Sequence, residues 1–338
     1  MQIAILAHEK FPERAKTALG VLRYGDYDVA AVLDREQAGT RVHDHVPDVQ
    51  DAPIVAGMAD LEEPIDALLI GIAPIGGGFE GSWRPDVRAA LEAGCDVISG
   101  LHYFLSEDEE FAALAAENDC ELRDVREPRD DLTVSRGVAD EVDAEVILTV
   151  GTDCSVGKMT ATMELARDAR EAGHDAAVIP TGQTGIVIEG WGTPVDRVVS
   201  DFTSGAVEGM ILQKGDDHDY LFVEGQGTIV HPAYSAVTCG ILHGAMADKL
   251  VLCHAAGREA IHGYESFPLA SIESYVDRYE SLADPVKPAK VAAGALNTHG
   301  IAADEDARRA IEEYAENLEA PATDVVRFGT EEVLEALL

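Results

Sequence analysis

The stretch from Val146 to Ala172 leaves this chain few ways to fold. Val146-Ile147-Leu148-Thr149-Val150 reads as a buried strand. It runs into Gly151-Thr152-Asp153-Cys154-Ser155-Val156-Gly157-Lys158-Met159-Thr160, and an apolar-periodic helix, Ala161–Ala172, follows. Strand, glycine-bounded loop and helix in that order gather successive backbone N–H groups and the positive end of a helix around one point. A lysine adds a point charge there, and the whole suits a phosphate. A chance pairing of glycine and lysine would lack the strand before it and the helix after it. The usual loop has four residues between its glycines; this one has five, Thr152 to Val156.

Strands and helices alternate on both sides of that segment. Before it, Gln2–Ala7, Asp28–Leu33, Ala67–Ile72 and Asp96–Ser99 read as buried strands, and Glu13–Leu22, Pro85–Ala93 and Ser106–Asn118 as helices. The last opens with Ser106 and has Glu109 three residues on, the pattern of a capping box. From Ala144 a second series begins, with strands at Glu145–Val150, Asp175–Ile179, Tyr220–Val223, Lys249–Leu252 and Lys290–Ala295, and a final helix at Asp304–Asn317. This spacing implies parallel, doubly wound sheets. Periodicity breaks at Glu127-Pro128-Arg129-Asp130-Asp131, giving a domain over 1–130, a linker over 131–143 and a second domain over 144–338. The expected class is α/β, with a Rossmann-like doubly wound N-terminal domain and the phosphate loop in the C-terminal one.

Asp34 closes the second strand, where a ribose-binding acid sits in dinucleotide folds. The loop after the first strand, Ala7-His8-Glu9-Lys10-Phe11-Pro12, has no GxGxxG, so nothing lets the backbone approach a pyrophosphate and NAD is disfavoured. Gly76-Gly77-Gly78 is either a ligand-facing loop or a plain turn, and so is Thr181-Gly182-Gln183-Thr184-Gly185 after the strand ending at Ile179. His43-x-His45 lies on a loop with no cysteine partner and reads as exposed, and no metal-ligand spacing stands out.

Charge narrows the partners. The 63 acids against 25 bases give a net charge of −38, which would repel nucleic acids and anionic membranes. Only seven of the bases are lysines, and the acids cluster on helices and turns, as in Glu107-Asp108-Glu109-Glu110, Asp216-Asp217 and Asp304-Glu305-Asp306. Such a surface fits molar salt, where screening shrinks to about 3 Å, and predicts loss of the fold at low salt. Five scattered cysteines, no signal-type h-region and no apolar run of transmembrane length lead to the expectation of a soluble, reduced, cytoplasmic protein.

Gly-Thr-Asp followed by Gly-Lys across the five-residue spacer resembles the P-loop of dethiobiotin synthetase and its relatives. Leu221-Phe222-Val223-Glu224-Gly225-Gln226-Gly227 is similar to their Val-Glu-Gly strand end, and the resemblance gives Glu224 a task facing the nucleotide's magnesium. Ala295-Leu296-Asn297-Thr298 is similar to the strand end whose Asn recognises the base. One position departs: Met159 follows Lys158 where a Ser or Thr normally ligates magnesium, and the hydroxyl comes one later, at Thr160. A thioether does not bind a hard cation.

The fuller form GTDCxVGKMT, the Rossmann-like N-terminal domain and Cys253-His254-Ala255-Ala256-Gly257-Arg258 resemble, over nearly the whole chain, a family long described as of unknown function. Its characterised member is a D-glutamate N-acetyltransferase, known from marine bacteria and halophilic archaea. The resemblance implies acetyl-CoA as co-substrate, with its phosphates held by Gly151, Thr152, Ser155, Gly157, Lys158, Thr160 and Asn297. It places Glu224 and His231 where either could be the general base, the alternatives being a magnesium-side role for Glu224 and a turn histidine for His231. Asp153 orients Lys158 or the amine, or closes an Asx turn. Two substrate carboxylates call for Arg258 and Arg84, each of which could equally form a surface ion pair. A homo-oligomer acting on small molecules is expected. The other reading is an ATP-dependent carboxylate-activating ligase or small-molecule kinase using Asp153, Lys158 and Glu224, with magnesium doubtful because of Met159.

Overall fold

The computed structural model describes residues 1–72, 74 and 77–338, and these divide into two compact units. The first comprises Met1–Pro128 together with Gln183–Pro194, and the second Arg129–Gly182 with Val195–Leu338.

In the first unit β1 (Gln2–Leu6), α1 (Lys16–Tyr24), β2 (Asp28–Leu33), β3 (Ile54–Val55), β4 (Ala67–Ile70), α2 (Arg84–Glu92), β5 (Asp96–Ser99), α3 (Glu109–Asn118) and β6 (Leu122–Asp124) follow one another. The six strands form a parallel sheet in the order β3-β2-β1-β4-β5-β6, the Rossmann order. Of the two central strands, β1 is apolar and buried from Ile3 to Leu6, and β4 is apolar and buried at all four positions. The two short strands β3 and β6 escape a sequence reading because two or three residues show no period. The capping box expected at Ser106 is not the start of α3. Its N-cap is Asp108, whose carboxylate accepts from Glu110 N–H at 3.1 Å and Phe111 N–H at 3.3 Å, while Ser106 N–H is taken by Asp124 at 2.9 Å. An anion at the positive end of the helix outcompetes the hydroxyl two residues upstream.

The second unit opens with β7 (Glu145–Gly151), α4 (Lys158–Glu171) and β8 (Ala176–Ile179). The chain then contributes α5 (Gln183–Glu189) to the first unit, where Ile186 and Val187 join the core, Thr184 Oγ1 meets Thr17 Oγ1 at 2.9 Å and Tyr27 donates to the Val187 carbonyl at 3.1 Å. The second unit continues with α6 (Thr203–Lys214), β9 (Tyr220–Val223), α7 (Ser235–Ala245), β10 (Lys249–Ala255), the hairpin β11 (Ala260–Ile261) and β12 (Tyr264–Pro268), α8 (Ile272–Ala283), β13 (Lys290–Asn297), α9 (Asp304–Leu318), β14 (Ala322–Thr323) and α10 (Glu331–Leu337). Its parallel sheet runs β14-β13-β10-β7-β9-β8. The strand bearing the glycine loop is therefore central, between β9 and β10, and order reverses there; ligands bind outside the carboxyl ends of strands at such a point. β10 and β13 extend past the expected ends at Leu252 and Ala295, pairing as far as Ala255 with Asn297, because the backbone ladder continues through the polar His254 and Asn297.

Residues 131–143, read as a linker, are fastened to the second unit. Glu208 of α6 is buried and accepts from Ser135 Oγ at 2.8 Å, Arg136 N–H at 2.7 Å and Val138 N–H at 2.9 Å. No helix among the described residues is long and apolar enough to cross a membrane.

Candidate functional site

The loop between β7 and α4 bends where its sequence allows. Gly157 precedes α4 with φ +105°, and Ser155 adopts the left-handed region at φ +55°, an exposed position. Left-handed residues in this stretch turn consecutive amides to one side, ahead of a helix N-terminus. Lys158 is buried and curls back beneath the loop, donating to the Asp153 carbonyl at 2.8 Å. Thr149 locks the loop's base: its hydroxyl meets Thr162 Oγ1 at 2.9 Å and accepts from Gly225 N–H at 3.1 Å, joining β7, α4 and the end of β9. Tyr279 of α8, fully buried, donates to the Gly151 carbonyl at 2.7 Å.

Asp153 is completely buried and holds three elements together. Its carboxylate accepts from Cys154 N–H at 2.7 Å, His262 N–H at 2.8 Å and Arg258 Nη1 at 2.6 Å. Arg258 gives Asp153 only that nitrogen, and its side chain is 25% exposed. Its Nε and Nη2 make no hydrogen bond with the described residues, so half the guanidinium fork faces outward. Thr152 Oγ1 lies 2.8 Å from His254 Nδ1, and burial, with Arg258 nearby, lowers the His254 pKa to about 4. His254 is therefore neutral at physiological pH.

Glu224, at the end of β9, is buried and fixed by amides: its Oε2 accepts from Thr181 N–H at 3.2 Å and Gly182 N–H at 3.0 Å, while its carbonyl accepts from Thr181 Oγ1 at 2.6 Å. Thus Thr181 and Gly182 orient Glu224, whereas Gln183 onward belongs to α5. Gly225 has no room for a side chain, since a Cβ there would lie 1.7 Å from the Thr149 carbonyl oxygen. Gly225→Ala is expected to lower unfolding free energy by about 2 kcal/mol or more, because backbone must move. Gly209→Ala on α6, where a Cβ meets nothing within 4 Å, should cost nothing; denaturant unfolding of both variants in high salt checks the contrast.

His231 is buried, and its ring packs against Tyr234 and Tyr264 at centroid distances of 4.6 and 5.1 Å. Burial pushes its pKa down, opposed by Asp153 and aided by Lys158. One ligand atom each of Asp153, Cys154 and His231 lie within 4.8 Å of one another, a spacing that could hold a metal ion. The donor chemistry does not fit one. Both Asp153 oxygens already accept hydrogen bonds, and His231 Nδ1 accepts from Ala233 N–H at 3.0 Å and Tyr234 N–H at 3.2 Å. Ligation through Nε2 would put the ring proton on Nδ1, against those two amides. Magnesium fits the loop no better: Met159 is buried where a hydroxyl would ligate it, and Thr160 stands one residue further along the helix.

Asn297 closes β13 with its side chain exposed; Oδ1 accepts from His299 N–H at 2.9 Å, and its carbonyl from Ala256 N–H at 3.0 Å ties β13 to β10. The second unit thus brings together Gly151, Thr152, Asp153, Lys158, Glu224, His231 and Arg258. Arg84, read as a carboxylate binder, is used within the first unit, where its guanidinium grips Asp108 at 2.7 and 2.9 Å and Glu110 at 2.5 Å and lies over Phe111. Asp34 is buried and caps its own turn, accepting from the Glu36, Gln37 and Phe11 amides, so its carboxylate is used locally. His43 and His45 bond to the Val49 carbonyl and Thr40 hydroxyl respectively. Of the triple glycine, Gly76 lies outside the described residues. Cys154, Tyr279 and the amide of His262 are site residues the sequence did not single out. Only Tyr275 and Tyr279, four apart on the buried face of α8, carried a legible signal.

Two family models cover most of the chain. Residues 35–128 match the Rossmann-like domain, and residues 133–334 the P-loop domain, of a family described as a domain of unknown function, DUF1611. A protein named D-glutamate N-acetyltransferase from Tritonibacter scottomollicae is 35% identical over 271 residues, 80% of each chain. Another of that name from a Pseudoalteromonas species is 34% identical over 272 residues, again 80% of each. The crystal structure of a DUF1611 family protein from Anabaena variabilis ATCC 29413 superposes with a TM-score of 0.94 at 35% identity, covering 99% of this chain and 98% of that one. With both domains matched in order and the fold shared over nearly its whole length, the chain belongs to the DUF1611 family.

Proposed function

We propose that this protein is a D-glutamate N-acetyltransferase that takes its acetyl group from acetyl-CoA. The observation that carries the reading is the likeness, at 35 and 34% identity over 80% of the chain, to two proteins of that name. The buried Met159 favours it over the ATP-dependent ligase or kinase, since a loop without a hard-ligand hydroxyl beside its lysine suits phosphates that are held and not transferred.

On this reading the amides of the loop, Lys158 and the N-terminus of α4 receive the phosphates of CoA, with Asn297 at the end of β13, two strands away. The flexible pantetheine arm must double back to bring its thioester to the loop's mouth. Arg258 offers its two outward nitrogens to a substrate carboxylate while Asp153 holds the third. Glu224, oriented by the Thr181 and Gly182 amides, takes a proton from the substrate ammonium. The freed amine attacks the thioester carbon, a C–N bond forms, the C–S bond breaks, and the second proton of the nitrogen passes to the leaving thiolate, giving the neutral amide and free CoA thiol.

The test is free-thiol release from acetyl-CoA in molar salt, with D-glutamate, L-glutamate and no amino acid in parallel. D-glutamate-dependent thiol release and an N-acetylated product are expected. No thiol release, together with substrate-dependent ADP formation from ATP, would overturn the reading in favour of the ligase or kinase.

A further inference from the structure

His231 is 2% exposed, and its bonding decides where its proton sits. Nδ1 accepts from two amides, Ala233 N–H at 3.0 Å and Tyr234 N–H at 3.2 Å. A nitrogen that accepts from N–H groups presents its lone pair, so the neutral ring carries its single proton on Nε2. Protonating Nδ1 as well would set an N–H against two others in a buried place. The flanking rings of Tyr234 and Tyr264 keep the imidazole from turning over. The ring is thus held in one tautomer and one charge state, with no basic lone pair to offer.

Nε2–H makes no hydrogen bond with the described residues. The ring as a whole is buried, and its Nε2–H is left available to an acceptor that arrives with a ligand. The ring stands at the loop's mouth, one nitrogen within 4.8 Å of a carboxylate oxygen of Asp153 and of Cys154 Sγ. Asp153 already serves Arg258 and the amides of Cys154 and His262, and Lys158 lies beneath.

We propose that His231 is a catalytic hydrogen-bond donor, its Nε2–H directed at the thioester carbonyl oxygen of the acyl donor to stabilise the negative charge that develops there. This rests on the acetyltransferase reading and replaces the general-base role for His231. As the amine bonds to the carbonyl carbon, the π pair moves onto the oxygen and is received by Nε2–H. When the C–S bond breaks, that pair returns and sulfur leaves with its own. The substrate proton travels through Glu224, and His231 neither gains nor loses one. A preorganised neutral donor needs no rearrangement at the moment of reaction.

Alanine and glutamine variants separate the roles, because Gln places an N–H near the Nε2 position but does not titrate. His231→Ala is expected to lower kcat about 100- to 1000-fold, with His231→Gln recovering about tenfold or more of that loss. The KM for D-glutamate and the acid limb of the kcat/KM profile should be the same in the Gln variant as in the wild type. Histidine-labelled ¹⁵N NMR in high salt, with the His231 signals identified by their loss in the Gln variant, should show unprotonated Nδ1 and protonated Nε2 across about pH 5 to 8. That readout needs no turnover, so a failure of the acetyltransferase reading is distinguishable from a failure here. Should the Ala variant not fold, the Gln variant and the NMR decide. A protonated Nδ1, a Gln variant that folds but has lost the acid limb, or one with unchanged kcat and a raised KM for D-glutamate would each overturn the proposal.

Discussion

Lys158→Ala is expected to reduce kcat/KM for acetyl-CoA by about 100- to 1000-fold while leaving the protein folded in high salt, as judged by near-UV circular dichroism. Lys158 lies under the loop with its Nζ 2.8 Å from the Asp153 carbonyl, at the point where the turned amides and the start of α4 converge. Charge-assisted hydrogen bonds of this kind contribute about 1.5–3 kcal/mol each, and two to one phosphate group account for the expected loss. The fold should survive because the loop's base is held elsewhere, by Thr149 to Thr162 and Gly225 and by Tyr279 to Gly151. Lys158→Arg should not rescue activity: a planar five-donor fork is wider than an ammonium, and a Cβ placed on neighbouring Gly151 already comes within 2.9 Å of Nζ. If the Ala variant keeps wild-type kcat/KM for acetyl-CoA, the phosphates are not in this loop.

Transfer from molar to low salt is expected to unfold the chain, with the largest effect on stability of any perturbation considered. The net charge is −38, and Glu107, Glu109, Asp216, Asp217, Asp304, Glu305 and Asp306 are all exposed. Screening extends over about 3 Å at 1 M salt and about 10 Å at 0.1 M, so neighbouring acids that ignore one another in the first medium repel in the second. The three acids opening α9 are favourably placed against the helix dipole, yet they stand side by side and add to the repulsion. The thermal midpoint should fall by about 20 °C or more between roughly 3 M and 0.05 M KCl, and sucrose should restore little of it, since a neutral osmolyte does not screen charge. An unchanged midpoint at low salt would show that the acidic surface has no bearing on the medium this protein requires.

The same salt dependence bears on turnover. On the acetyltransferase reading both reactants are anionic, and a field of this sign would slow their approach to the loop and to Arg258. The site meets this by concentrating its few cationic and N–H groups in one place: Lys158, the outward half of Arg258, the end of α4 and Nε2–H of His231.

The sequence by itself determined the two α/β sheets, the placement of β7 before a glycine loop and α4 after it, and the identity of most residues around that loop. Those features are written in local spacing: a run of apolar residues, glycines where the chain must turn, and a helical period that begins at once. Tertiary structure alone decided what those residues do to one another. Asp153 meets Arg258 across 105 positions, and the Thr181 amide orients Glu224 across 43. Arg84 proved to be bound by Asp108 and Glu110, and α5 left its sequence neighbours for the core of the first unit. His231 read as either a base or a turn histidine because a histidine's letter does not say which nitrogen is occupied. That is settled only when packing between two tyrosines brings Nδ1 against two amides, and an imidazole has just one lone pair to give.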